Sequence, residues 1–180
     1  MEIVTARLRL DALRAEEAAA LFAYRGDPAA CRFQGWRPAS ATEAARFIEA
    51  QQRLDVDAPD TWWQCAIRLR DSGELIGDVG LHFLAEATVE LGISLAPRHQ
   101  NHGYAREALE VVLDFAFGGL HKHRVFASVD PRNVACVKLL EGIGMPREAH
   151  FRESVRDGAG WADDVVFALL AREWLAAPDE

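Results

Sequence analysis

The sequence predicts a mixed α/β fold, on the basis of three observations. Several short stretches alternate apolar and polar residues with the period of two that strands require. Between them lie Ala- and Glu-rich stretches with apolar residues at helical spacing. Three strand-like stretches follow one another between residues 62 and 95 with only short turns between them, which indicates an antiparallel meander. The predicted order of elements is β-α-α-β-β-β-α-β-α-β-β.

The N-terminal part is predicted to form one strand and two helices. The strand covers residues 7–11, where the sequence Arg-Leu-Arg-Leu-Asp alternates. A helix follows from residue 14 to about residue 24 and is closed by Gly26-Asp27-Pro28. A second helix is expected from Thr42, a candidate N-cap, to about residue 54. Residues 55–60, which include Pro59, then form a loop.

The meander consists of predicted strands at residues 62–69, 75–83 and 88–95. Asp-Ser-Gly at residues 71–73 forms the first turn, and Leu-Ala-Glu-Ala at residues 84–87 forms the second. Alternation in the third of these strands divides its side chains between two faces of the sheet. One face carries Val89, Leu91, Ile93 and Leu95, and the other carries Glu90, Gly92 and Ser94.

A long helix is predicted from residue 104 to about residue 117, where Gly118-Gly119 ends it. Residues 124–129 form a short strand ended by Pro131, and residues 133–143 form a further helix. Residues 147–156 and 162–171 are expected to form a hairpin around Asp157-Gly158. The long helix has an apolar stripe of Ala105, Ala108, Leu109, Val112 and Ala116, opposite a charged face of Arg106, Glu107, Glu110 and Asp114.

Length and composition predict a single domain over residues 1–180. Half of the residues are hydrophobic and 27% are charged, which is typical of a soluble globular protein. Cys31, Cys65 and Cys136 are odd in number and widely spaced, which argues against a disulfide framework or a structural zinc site. No apolar run approaches the ~20 residues of a membrane helix, and the N-terminus has no signal-peptide apolar core. A reduced, cytoplasmic setting is therefore expected, without a membrane partner.

The net charge of −8 argues against nucleic acid as a general partner. Residues 96–138 contain six Lys and Arg against four Asp and Glu, a net charge of +2, so the other residues carry −10. A positive strip in an acidic protein suits an anionic cofactor that meets a cationic second substrate. Chance variation in surface composition accounts for the strip at least as well.

The clearest chemical signal is Gln-Asn-His-Gly-Tyr-Ala at residues 100–105, between the third meander strand and the long helix. The first backbone N–H groups of a helix are unpaired, and the helix dipole places partial positive charge there. A glycine at such a turn lets the main chain approach a phosphate closely. The stretch is thus a candidate pyrophosphate cradle, although a glycine before a helix is also common in an ordinary turn.

These residues carry a resemblance to a family. The spacing Gln100-x-x-Gly103-x-Ala105 resembles the Q/R-x-x-G-x-G/A motif by which GNAT acetyltransferases hold the coenzyme A pyrophosphate. Residues 133–145 resemble the N-x-x-S-x-x-L-x-E-x-x-G-F signature of the same family, with Cys136 in place of Ser and Met145 in place of the aromatic residue. An N-terminal T-x-R-L-x-L and a D-x-x-x-x-A-L-L-x-x-E-W between residues 163 and 174 resemble the branch of ribosomal-protein N-terminal acetyltransferases.

The resemblance covers nearly the whole chain and implies a central, twisted, mostly antiparallel sheet flanked by helices. It also implies acetyl-CoA as co-substrate, a primary amine as acceptor, direct attack in a ternary complex and no metal. A second copy of the chain is a further candidate partner. The implied cofactor-binding residues are Ile93, Ser94 and Leu95 for the pantetheine arm, Gln100, Asn101, His102, Gly103, Tyr104 and Ala105 for the pyrophosphate, Asn133 near the pantetheine, and Lys138, Arg98 or Arg132 for the nucleotide phosphates.

Two residues are candidates for proton transfer during catalysis. Glu90 is the candidate base, since a partly buried Glu can have a raised pKa and relay a proton through water. An ion pair between Glu90 and an arginine is the alternative. Cys136 stands where relatives have a Ser that is proposed as proton donor to the leaving thiolate. Simple packing against the pocket is the alternative for Cys136.

Other polar and aromatic residues give weaker signals. His99 and His102, like His121 and His123, are interpreted as loop polarity, because a metal site would need more ligands. The tryptophans Trp62, Trp63 and Trp161 are candidates for the walls of an acceptor pocket, with core packing expected for at least one. A GNAT fold that binds acyl-CoA without chemistry is the alternative function, and the loops at residues 32–41, 55–61 and 151–161 do not identify the acceptor.

Overall fold

One eight-stranded sheet organises the chain, in a computed structural model that describes residues 2–28, 30–85, 87–158 and 160–176. Its strand order is β1-β2-β3-β4-β5-β6-β8-β7, and neighbours are antiparallel except for the parallel pair β5–β6. The strands are β1 (Ile3–Val4), β2 (Leu8–Ala12), β3 (Thr61–Leu69), β4 (Leu75–Leu84), β5 (Thr88–Leu95), β6 (Arg124–Val129), β7 (Arg147–Asp157) and β8 (Gly160–Leu170).

In the described residues, five α-helices flank the sheet, together with three short turns of 3₁₀ or π geometry. The helices are α1 (Ala18–Arg25), α2 (Ala41–Gln51), α3 (Tyr104–Asp114), α4 (Val134–Gly142) and α5 (Ala171–Leu175). Single 3₁₀ turns cover Ala15–Glu17 and Pro97–His99, and a π-helical turn at Phe115–Gly119 continues α3. No helix in the described part of the chain is long and apolar enough to cross a bilayer.

The mixed α/β architecture and the order of the main elements are confirmed. Two short elements were not predicted: β1, which pairs with β2 at the N-terminus, and α5, which begins at Ala171, where the sequence indicated the end of a strand. Glu86, in the predicted turn at residues 84–87, lies outside the described residues.

The predicted N-cap of the second helix is wrong. Ser40 caps α2, because its Oγ accepts a hydrogen bond from the backbone N–H of Glu43. Thr42 lies within the first turn instead. The Glu43 carboxylate accepts in return from the N–H of Ala39, so the helix begins two residues earlier than the sequence suggested.

Hydrophobic side chains are buried on both faces of the sheet. The larger core packs β2–β6 and β8 against α3 and α4, and its helical members include Ala108, Leu109, Val112, Leu113 and Leu140. Met145, which stands where the family signature has an aromatic residue, is 2% exposed and packs in this core. A smaller core packs α1 and α2 on the other face through Leu21, Ile48, Ala66 and Leu75.

A buried ion pair fixes α1 to β4 under the smaller core. Arg25 contacts Asp78 through two nitrogens, and the Tyr24 hydroxyl donates to the same carboxylate at 2.7 Å. Removing either charge would leave the other buried and uncompensated, which is strongly destabilising. The ion pair therefore holds α1 in position on the face of the sheet that α1 and α2 cover.

The pairing between β5 and β6 ends early. Register pairs join Thr88 to Arg124, Val89 to Val125 and Glu90 to Phe126, and β5 then continues to Leu95 without a further pair to β6. The two parallel strands therefore separate and leave a gap in the middle of the sheet.

Candidate functional site

A cavity of about 80 Å³ occupies the gap where β5 and β6 separate. Both strands, the α1–α2 connection, α3 and α4 contribute to its walls. The residues that line it are Phe33, Gln34, Leu91, Gly92, Ile93, Leu109, Ala127, Ser128, Val129, Asp130, Asn133, Cys136 and Leu140. Three of the residues predicted from sequence to belong to the site, Ile93, Asn133 and Cys136, therefore meet here.

The candidate pyrophosphate cradle, residues 100–105, lies at the end of β5 beside this gap and contains two left-handed residues. Asn101 has φ of 62°, and Gly103 at the N-cap of α3 has φ of 79°, so both are left-handed. A non-glycine residue is strained in that conformation, which explains the glycine. Gln100 connects the loop to β5, because its Nε2 donates to the carbonyl of Leu95 at 3.0 Å.

The N-terminus of α3 has no side-chain cap. The backbone N–H groups of Tyr104 and Ala105 therefore begin the helix with the partial positive charge of its dipole and without a side-chain acceptor at Gly103. His102 stacks on Tyr104 with ring centroids 5.8 Å apart, beside this terminus. The arrangement can bind an anion through main-chain N–H groups.

Arg7, which the sequence analysis did not assign to the site, holds the loop in place. Its Nη1 donates to the carbonyl of His102 at 2.9 Å, and its guanidinium lies over the Tyr104 ring at 4.7 Å. Its Nε pairs with Glu107 at 2.6 Å, and the Thr5 hydroxyl donates to the same carboxylate at 2.5 Å. We call Thr5, Arg7 and Glu107 the N-terminal clamp.

Glu107, on the charged face of α3, packs against the N-terminal segment. Its side chain is 17% exposed and turns toward the N-terminal segment. Although partial burial works in the opposite direction, hydrogen bonds from Thr5 and Arg7 lower the pKa of the Glu107 carboxyl. The clamp therefore contains an ionised carboxylate at neutral pH.

Two carbonyl groups of β5 face away from β4 and accept from side-chain amides. The Gln34 Nε2 donates to the carbonyl of Ile93 at 3.1 Å, and Gln100 bonds Leu95 as described above. Successive residues of a strand alternate in the direction of their backbone groups, so Ile93 and Leu95 share this outward edge. Ser94 between them is buried, and its Oγ has no hydrogen-bond partner among the described residues.

Asn133 and Cys136 lie on the first turn of α4 at the far side of the cavity. Asn133 is the N-cap, and its Oδ1 accepts from the Cys136 N–H at 3.3 Å. Burial raises the pKa of the Cys136 thiol to about 11. The group is consequently protonated at neutral pH and is a poor nucleophile.

Glu90 lies on β5 outside the lining of the cavity, on the face of the sheet opposite α3. The alternative interpretation of Glu90, an ion pair with an arginine, finds no such pair among the described residues, and the nearest ionisable partner is a histidine. His82, the register partner of Glu90 on β4, has its Nδ1 3.6 Å from Glu90 Oε2. Trp62 on β3 stacks on the His82 ring, and a Cβ at Gly92 would lie 3.9 Å from this tryptophan.

The cations of residues 96–138 are mostly neutralised by carboxylates. Arg98 pairs with Glu74, and Arg132 pairs with Asp130 and Asp157. Arg106, Lys122 and Arg124 also have acidic partners. Lys138 is exposed on α4 and has no ion pair within residues 2–28, 30–85, 87–158 and 160–176, so it alone of these six is free for an added anion.

The remaining histidines and tryptophans divide between surface and core. His99 contacts Glu74 at 3.3 Å, and no group of three potential ligands in the described chain is placed to hold a metal ion. Trp63 is 5% exposed in the core, as expected for one of the tryptophans, whereas Trp161 is exposed under Arg156. Nothing in the local sequence indicated Arg7, Gln34 or His82, since their partners lie far along the chain.

Comparison with known proteins identifies the family. Residues 7–146 match the model of the acetyltransferase (GNAT) domain. The chain is similar to the N-acetyltransferase YnaD of Bacillus subtilis, itself uncharacterised, with 28% identity over 97% of this chain and 99% of that protein.

Solved structures give the same result. A candidate ribosomal-protein-serine acetyltransferase of Vibrio cholerae superposes with a TM-score of 0.80 and 28% identity, over 94% of this chain and 97% of the other. The spermidine N-acetyltransferase of Vibrio cholerae, in complex with CoA and spermine, has the same fold, with a TM-score of 0.82 and 21% identity over 95% and 99%. The chain therefore belongs to the GNAT acetyltransferase family and is an acetyltransferase enzyme.

Proposed function

We propose that this enzyme transfers an acetyl group from acetyl-CoA to a primary amine, by direct attack in a ternary complex. The observation that carries the proposal is the continuity between the gap and the glycine turn. Gln100, the first residue of the loop, bonds the last carbonyl of β5, so an anion site and a narrow cavity adjoin each other. A long ligand with a pyrophosphate and a thin amide-containing arm fits that combination.

The residues present fit acetyl-CoA by their chemistry. Gly103 supplies a turn without a Cβ before the free end of α3, for the pyrophosphate, together with Gln100, Asn101, His102, Tyr104 and Ala105. The carbonyls of Ile93 and Leu95 already accept from side-chain amides, which are chemically close to the amides of a pantetheine arm. Ser94 and Asn133 adjoin this path, and Lys138 offers an unpaired cation for a nucleotide phosphate.

The reaction requires a proton acceptor, a polarised carbonyl and a protonated leaving thiol. Glu90 accepts the proton of the amine, since its carboxylate lies on the face of β5 opposite the main core, one residue from the cavity. Outward-facing backbone N–H groups of β5 polarise the thioester carbonyl. Cys136 is protonated at neutral pH and can donate to the leaving thiolate, or else it only lines the cavity.

The acceptor is a cationic amine or a free amino terminus. Support comes from the distribution of charge. The net charge is −8, because residues 96–138 carry +2 and the other residues carry −10. Neighbouring structures include a spermidine acetyltransferase in complex with spermine and a candidate ribosomal-protein-serine acetyltransferase, so both kinds of acceptor occur on this fold. A cytoplasmic setting and a homodimer remain sequence-based predictions.

A binding measurement and a turnover assay test the proposal together. Isothermal titration should show acetyl-CoA binding, and an assay of released CoA thiol should show turnover with one or more members of an amine panel. The panel contains polyamines, peptides with free N-termini, amino sugars and neutral amines. Binding without turnover on any amine would favour the alternative of a sensor or interaction module.

A further inference from the structure

His82 lies at the centre of a row of side chains that crosses three strands. Trp62 on β3, His82 on β4 and Glu90 on β5 are register partners and share one face of the sheet. The His82 ring is stacked on the Trp62 ring, with centroids 4.9 Å apart and planes 17° from parallel. This stacking fixes the plane of the imidazole, and so it fixes where its two nitrogens point.

The two nitrogens face carboxylates in different environments. Nδ1 lies 3.6 Å from Oε2 of Glu90, whose side chain is 27% exposed. Nε2 lies 3.3 Å from Oδ1 of Asp60, whose side chain is 91% exposed. These are the charged groups that the structure places against the ring in its described part. The imidazole therefore lies between the half-buried carboxylate of Glu90 and the solvent-exposed carboxylate of Asp60.

Nδ1 is buried and has no hydrogen-bond partner among the described residues. This absence has a simple chemical reason if Nε2 carries the proton and donates it to Asp60. Nδ1 is then an acceptor, and an ionised Glu90 is also only an acceptor, so the two cannot bond. Once Glu90 takes up a proton it becomes a donor, and a contact of 3.6 Å can close to a hydrogen bond by a shift of a few tenths of an ångström.

We propose that His82 is a relay that carries the acceptor's proton from Glu90 to solvent at Asp60. The inference rests on the proposed function. The N–H bond of the acceptor amine breaks as an O–H bond forms on Glu90. That O–H bond then breaks as an N–H bond forms at His82 Nδ1, and the proton on Nε2 leaves to Asp60 or to water. Glu90 is again ionised, and proton exchange with water, with loss from Nδ1 and uptake at Nε2, restores the original tautomer.

The alternative role for His82 is structural, as one wall of the site beneath Trp62. The variant His82→Phe distinguishes the two roles, because phenylalanine keeps the stacking and removes both nitrogens. His123→Phe is the matched control, since His123 is an exposed histidine that precedes β6. The relay predicts that His82→Phe lowers kcat by about 10- to 100-fold, at or below the lower end of the range for a group that takes the proton directly. Its acetyl-CoA affinity and acceptor KM should stay within about threefold of wild type.

A double-mutant cycle supplies the readout that a structural role would not change. In the Glu90→Gln background there is no proton to relay, so adding His82→Phe should lower kcat no further. Multiplicative losses, a change confined to KM, or a normal kcat in His82→Phe would each overturn the relay. A wild-type enzyme without turnover on any amine would instead overturn the proposed function and the relay with it.

Nitrogen NMR of the imidazole tests the same idea without any activity. The signals of the neutral His82 ring should be those of the tautomer with its proton on Nε2. A neutral ring in the Nδ1–H tautomer would overturn the proposal, because Nδ1 could not then accept a proton from Glu90.

Discussion

Glu90 is the residue on which the proposed chemistry depends most directly. Glu90→Gln keeps the shape of the side chain and removes the proton acceptor. The turnover rate should fall by ~10²–10⁴, the usual contribution of a general base, and the acidic limb of the pH–rate profile should flatten. The acetyl-CoA affinity, measured by titration, should not change. A near-normal rate with an unchanged acidic limb would show that the amine reaches the site already deprotonated.

Cys136 tests whether a thiol on the cavity wall takes part in the reaction. Since burial raises its pKa to about 11, the group stays protonated between pH 7 and pH 8, and iodoacetamide should modify it slowly there. Modification should accelerate only as the pH approaches that value. Cys136→Ser should alter kcat by less than about tenfold, or ~1.4 kcal/mol, if the side chain only packs. A larger loss would identify the thiol as a working proton donor.

At the level of elements, we expect the junction between β5 and α3 to control cofactor binding. Gly103→Val should abolish acetyl-CoA binding, because a branched Cβ would stand where the main chain approaches the phosphate. The matched control is Gly73→Val in the β3–β4 turn, where φ is 72° and a Cβ would meet nothing within 4 Å. Both variants should lose about 1–2 kcal/mol of stability from left-handed strain. Equal acetyl-CoA affinity in the two folded variants, checked by circular dichroism, would rule out the assigned loop.

The N-terminal clamp gives a second test at this scale. Arg7→Ala removes the hydrogen bond to the His102 carbonyl and the ion pair with Glu107, so the loop should lose its fixed position. We expect acetyl-CoA to bind about tenfold more weakly, or ~1.4 kcal/mol, with kcat preserved at saturation. Arg9→Ala is the control, because Arg9 has only an exposed partner at 3.6 Å. Equal affinities in the two variants would show that the clamp does not position the loop.

The regular elements were predictable because their signals are local. The alternation in β5, the glycine pair after α3 and the motif at residues 100–105 each lie within a few consecutive residues. The α2 cap was missed by two residues because Ser40 and Thr42 are both good capping residues, although Ser40 alone has a glutamate, Glu43, at the capping-box spacing.

The contacts that complete the site were not predictable in this way. Arg7 bonds a carbonyl 95 positions away, Gln34 one 59 positions away, and His82 meets Asp60 across 22 positions. No periodicity in one sequence encodes such pairs, since they depend on how strands and loops come together. The T-x-R-L-x-L pattern did contain Arg7, but its spacing indicates a strand and not a partner.

For the whole molecule, charge should govern how the acceptor arrives. The net charge is −8, and most of the basic residues between 96 and 138 are already paired, so the surface repels anions and attracts cations. Initial rates with a cationic acceptor at low concentration should fall as ionic strength rises, while rates with a neutral amine should change little. A neutral or anionic acceptor that outcompetes every cationic one would contradict the proposed acceptor class.

The early end of the β5–β6 pairing has a consequence for the cooperativity of the whole chain. In the described residues, three residue pairs, and hydrogen bonds from the backbone N–H groups of His123 and Arg124 to the Ala87 carbonyl, join the backbone ladder of β1–β5 to that of β6, β8 and β7. No register pair joins β5 to β6 beyond Glu90. In the protein without ligand, the β5–β6 junction is thus the place where a sub-global opening can separate the C-terminal strands from the others. A ligand seated in the gap adds contacts to both sides of that junction. Bound substrate would then stabilise the contact between the two parts of the sheet, and the whole chain would unfold as one cooperative unit when substrate is bound.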